Sequence, residues 1–115
     1  MNPDRVIYDK WRSLVNMSAA QLRRFYDSPE GKGAGMSAKE ARAQGISSGR
    51  QSARWIMSMK GTPYTQWRPE MWKWAGKQIR FISRMKGMPG ALYDSQGRKT
   101  RKHLSLLIWG HDPTK

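Results

Sequence analysis

Between Arg68 and Gly87 the chain reads RPEMWKWAGKQIRFISRMKG, and this stretch narrows the available folds more than any other. Lys73, Lys77, Arg80 and Arg84 recur at steps of four, three and four. At about 100° per residue these cations fall within an arc of about 60°, opposite Met71, Ala75, Ile82 and Met85. Trp74 and Ile79 flank the apolar set. A helix separates the two sets cleanly, so the spacing predicts one from Pro69 to about Lys86. Gln78 falls inside the apolar arc and would need a buried partner. A solvated helix face ordinarily mixes charge signs, yet Glu70 is the single acid in the segment. The stripe therefore points to an anionic ligand, with an ordinary solvated face as the plainer alternative.

The rest of the chain is punctuated in the same helical way. Asn2 and Pro3 open a helix to about Val15, because proline lacks the N–H that a first turn leaves orphaned. Ile7, Trp11, Leu14 and Val15 form its apolar stripe. Ser18 and Gln21 have capping-box spacing, and Leu22, Phe25 and Tyr26 should then face inward. SPEGKGAG (28–35) reads as a loop. A second capping box, Ser37 to Glu40, opens a short helix that Gly45 can end. Ser47 or Ser48 caps the next, to about Lys60, with Ala53, Ile56 and Met59 as core positions. Residues 61–68 form a connector and Tyr93 to Gly97 a turn. Thr100 caps a last helix through Trp109, closed by Gly110, although LSLLIW (104–109) is short and apolar enough to be a buried strand instead. The expectation is an all-α fold, one compact domain of five or six short helices spanning residues 1–115.

Charge divides that domain. The 22 Lys and Arg against 8 Asp and Glu give +14. Residues 1–45 carry a near-neutral +3, and residues 46–115 carry +11. Such an excess attracts polyanions, of which nucleic acid is the commonest in a cell. An acidic protein surface is the competing partner.

Beside the stripe stand two further basic groups. Arg50 and Arg54 share a helical face behind Ser47, Ser48 and Gly49, where free N–H groups suit a phosphate. Plain capping followed by two exposed arginines would look the same. A helix-turn-helix over 38–56 fits poorly, because its spacing would put Gln51 and Arg54 where apolar contacts are needed. Arg98, Lys99, Arg101 and Lys102 crowd a helix start, where cations oppose the dipole; phosphate contacts would explain them more fully than an ordinary basic loop. Among six tryptophans, Trp67, in the connector beside Arg68, is the candidate for stacking on a base.

No catalytic pattern appears. His111 and Asp112 could form a dyad, but WGHDP reads more simply as a C-terminal lock. There is no cysteine, and the few acids do not suit a metal-dependent nuclease. No metal or cofactor is expected. The N-terminus lacks signal-peptide order and no run approaches the length of a membrane span, so the expected setting is cytoplasmic.

WRSLVNMSAAQLRRFYDSPEGKGAG (11–35), GISSGRQSARWI (45–56) and LSLLIWGHDP (104–113) stand in an order that resembles a family of small uncharacterised bacterial proteins. Its members share a VNM-(S/T)-x-x-(E/Q)-L start, a G-x-x-SGR centre and an SL-x-x-WGHDP end. The resemblance, to a bacterial family, implies a compact helical intracellular protein and carries over no catalytic residue; a small basic protein of this kind could equally come from a phage. The heavy basic load of residues 68–102 departs from it.

Together these features predict non-catalytic binding of nucleic acid through phosphates, with low sequence specificity and double-stranded DNA favoured over RNA. The alternative is a protein-interaction module, a phage-type inhibitor or assembly subunit, whose cations meet an acidic partner. The oligomeric state is left open.

Overall fold

The computed structural model describes residues 2–34, 38–43 and 48–115. Its helices are α1 (Pro3–Leu14), α2 (Ala19–Asp27), α3 (Pro29–Lys32), α4 (Ala38–Ala43), α5 (Gly49–Lys60), α6 (Pro69–Gly87) and α7 (Arg101–Ile108). A single 3₁₀ turn, Tyr64–Gln66, joins α5 to α6. The fold is an all-α domain. The described residues contain no strand, and Tyr93 and Lys99 form an isolated antiparallel bridge across the turn before α7.

Local chemistry sets most boundaries. The Asn2 side chain accepts from the Asp4 N–H ahead of Pro3. Ser18 and Gln21 close a complete capping box on α2, each satisfying an otherwise free N–H. Ser48 caps α5 through the Gln51 N–H, and Thr100 caps α7 through the His103 N–H. LSLLIW is therefore helical. The stretch expected as a loop at 28–35 instead begins with α3, because Ser28 accepts from the Gly31 N–H and Pro29 pre-sets the first turn. Ser37, Gly45 and Ser47 lie outside the described residues.

The core joins Trp11, Val15, Leu22, Ile56, Met59, Ile82, Leu106 and Ile108 with smaller neighbours. On α1 the buried stripe is narrower than expected. Trp11 and Val15 are buried, but Ile7 is exposed. Tyr8 takes the inward position, stacking on Tyr64 at 4.7 Å, one helical turn before Trp11. Helix α6 buries Met71, Trp74, Ala75, Gln78 and Ile82. Gln78 has the partners that its position demands: the Trp11 indole donates to Oε1 at 2.6 Å, and Nε2 donates to Ser52 Oγ at 3.1 Å. One amide thus ties α1, α5 and α6 together.

The α1–α2 turn, the start of α5 and the end of α7 meet in space. Met17 N–H donates to the Gly110 carbonyl at 3.2 Å. Asn16 Nδ2 donates to the Asp112 carbonyl, and the Asp112 N–H donates back to Asn16 Oδ1. His111 Nδ1 donates to the Leu14 carbonyl at 2.6 Å. Gly49 packs so closely that a Cβ there would lie 2.6 Å from Ile108 Cγ2. His111 and Asp112 are thereby committed to holding the chain end against the α1–α2 turn.

Lys60 reaches the same turn, donating from Nζ to the Val15 carbonyl at 2.8 Å. Burial pulls its pKa down from 10.5 to about 8, and the positive charges of Arg12 and Lys115 add to the shift. Between about pH 8 and 10.5 the unfolded chain therefore holds more protons at this group than the folded one. Stability must rise with pH through that window, as a neutral amine replaces a partly buried charge. Chemical denaturation on both sides of the window should show the parent gaining on Lys60→Met as pH increases. The gain should be on the order of 1 kcal/mol or less, since the ammonium is only partly buried.

Candidate nucleic-acid interface

The outer face of α6 follows from its inner one. Burying Met71, Ala75, Gln78 and Ile82 turns Lys73, Arg80 and Arg84 to solvent, where all three are exposed. Among the described residues no acid pairs with any of these three. Lys77 belongs to the same arc but leans to one side, its Nζ 4.5 Å from the centre of the Trp74 ring. Arg84 lies over Phe81 at 5.9 Å. Arg80 folds back along the helix, so that a Cβ on Gly76 would sit 3.2 Å from its guanidinium. Lys73, Arg80 and Arg84 thus form a row of exposed cations, and Lys77 beside them rests its ammonium on Trp74.

Helix α5 borders this row. Trp55 stacks on Trp74 at 5.9 Å with 21° between planes. A groove of about 400 Å³ opens beside it, lined by Gln51, Arg54, Trp55, Ser58 and Arg68. Arg54 extends the basic surface into the groove and is itself oriented, donating to Tyr26 Oη at 2.9 Å. That bond is the largest cause holding the Tyr26 phenol below its usual pKa; burial opposes it and the Arg50 charge adds to it.

Arg50 is half-buried and turned inward. Its guanidinium donates to the Tyr26 and Gly31 carbonyls at 3.0 and 2.9 Å and lies 3.7 Å over the Tyr26 ring. Of the phosphate site expected at the start of α5, Ser48 and Gly49 are buried, and Ser47 lies outside the described residues. Gln51 and Arg54 are exposed, so the apolar contacts of a helix-turn-helix are missing at those positions.

The RKTRK cluster is divided. Arg98 pairs with Asp94 at 3.2 Å, and Lys99 with Glu30 at 3.4 Å. Lys102 donates to the Met88 carbonyl at 2.7 Å and so closes the C-terminal end of α6. Arg101 is exposed and has no acidic partner among the described residues. Both surface pairs are weak and open to exchange for phosphate.

Trp67 cannot stack on a base. It is 7% exposed, its indole N–H donates to the Met59 and Thr62 carbonyls, and its edges meet Trp11 and Trp72. The half-buried tryptophan in the basic groove is Trp55. Its position was recoverable, because on α5 it lies one step outside the arc of Ser52, Ala53, Ile56 and Met59. The described residues hold no cluster of three metal-ligating side chains, and no helix among them is long and apolar enough to cross a membrane.

The chain matches no family model, no curated protein and no solved structure. Its own geometry and charge are therefore the grounds for a functional reading.

Proposed function

We propose that this protein binds nucleic acid without catalysing a reaction on it, chiefly double-stranded DNA, through the phosphate backbone and with low sequence specificity. The observation that carries the reading is the outer face of α6, where Lys73, Arg80 and Arg84 are exposed with no acidic partner among the described residues. A straight α-helix rises 1.5 Å per residue, so the stripe from residue 73 to 84 presents cations over roughly 16 Å. That length suits several successive phosphates along a duplex. Arg54 and Arg68, which line the groove beside Trp55, and the exposed Arg101 on α7 are further cations available to phosphate. Such a role belongs in the cytoplasm, on the nucleoid.

An acidic protein partner is the second reading, favoured by Val6 and Ile7, two adjacent apolar side chains exposed on α1. Titration of duplex DNA, single-stranded DNA and RNA across a salt series separates the two. Phosphate binding gives a log affinity that falls linearly with log salt, at about 0.9 per duplex phosphate neutralised, with duplex DNA bound tightest. Absence of binding to all three at low salt by the folded protein would remove the nucleic-acid reading and leave the protein partner.

A further inference from the structure

The groove between α5 and the start of α6 combines groups that a backbone-binding stripe does not use. Gln51, Trp55 and Ser58 lie one turn apart along α5, so an aromatic ring stands between two side chains able to donate and accept hydrogen bonds. Arg54 and Arg68 complete the lining. The Trp55 ring is backed by Trp74, which stacks against it and is itself covered by Lys77. Arg54 is held by Tyr26 through one nitrogen, which leaves other guanidinium N–H groups for a ligand. The volume is at the low end of the range for small-molecule pockets. A planar aromatic ligand flanked by negative charge fits this lining, and that is the chemistry of a nucleotide.

We propose that this groove seats one unpaired nucleobase against Trp55, with its neighbouring phosphates on Arg54 and Arg68, so that duplexes with single-stranded tails or gaps bind more tightly than continuous duplex. The inference rests on the nucleic-acid reading and deepens it. A base inside a duplex offers only its edges, whereas stacking on an indole needs an open face, which an unpaired nucleotide supplies. Gln51 and Ser58 can each meet a base edge in either hydrogen-bonding sense, so little sequence preference is expected.

The test compares a blunt duplex with the same duplex carrying a short single-stranded tail, for the parent, Trp55→Ala and Trp55→Leu. Leucine keeps apolar bulk against Trp74 while removing the aromatic face, and circular dichroism checks that both variants are folded. The parent should favour the tailed duplex, and both variants should lose roughly 5- to 150-fold in that preference, the range for one base–aromatic stack, with blunt-duplex affinity unchanged. A parent without tail preference, or a folded leucine variant that retains it, overturns the inference while leaving blunt-duplex binding intact. Failure of the parent to bind either duplex at low salt overturns the duplex-DNA reading, and failure to bind single-stranded DNA and RNA as well overturns the nucleic-acid reading itself. Competition with adenosine monophosphate identifies the source of the base: erasing the tail's advantage at micromolar concentration would assign the groove to a free nucleotide and overturn the strand.

Discussion

Alanine at Lys73, Lys77, Arg80 and Arg84 together should flatten the salt dependence of duplex DNA binding by up to about 3.6 log units per log unit of salt. The figure is four phosphate contacts at about 0.9 each. Over a fourfold rise in salt, the parent would then lose roughly 150-fold more affinity than the variant. The fold should tolerate the change, because none of the four side chains is in the core and alanine is the best helix former. Lys77 is the one to watch, since its ammonium lies over the Trp74 ring. A smaller change in slope would count how many of the four reach phosphate. An unchanged slope in a folded variant would exclude the stripe, and Arg101 with its neighbours would become the surface to alter next. A neutral-sequence control matters less than a salt control, since backbone contacts carry little sequence information.

The stripe was legible because α6 is long, amphipathic and almost free of acids, so one angular rule sorts its residues. Helix starts were legible for a similar reason: a serine or asparagine and the N–H that it caps are two or three residues apart. Partners distant in sequence were not legible. Gln78 announced that it needed a partner, but Trp11 lies 67 residues away, and nothing local identifies it. Arg50 and Arg54 have the same spacing and chemistry in sequence. Only the fold shows that Arg50 meets the carbonyls at the end of α2 and in α3, while Arg54 reaches the groove. Trp67 misled for a related reason. It sits in a connector with no helical period, and a connector lying under the Trp11 ring looks in sequence like one on the surface. Ser28 was read as the edge of a loop, although a serine before proline can end one helix and begin the next, as it does here.

The C-terminal lock leads to the largest expected loss of stability. Gly110 has φ +86°, and the N–H groups of Gly110 and His111 reach back to the Leu107 and Leu106 carbonyls. That pair of bonds is a Schellman ending, with glycine where the chain must turn left-handed. The site is also crowded. A Cβ on Gly110 would lie 2.8 Å from Val15 Cγ1 and 2.9 Å from Ile56 Cδ1, and both residues are fully buried. Gly110→Ala should therefore add a left-handed penalty of about 1–2 kcal/mol to an overpacking cost of about 1–3 kcal/mol. Thermal unfolding should fall by roughly 10 °C or more. Gly97 provides the control, because it too is left-handed, at φ +77°, but has nothing within 4 Å of its Cβ position. Gly97→Ala should show the backbone penalty alone. If the two variants melt together, the contact of Gly110 with Val15 and Ile56 contributes nothing. If Gly110→Ala melts well below Gly97→Ala, the chain end is held by packing as well as by its hydrogen bonds.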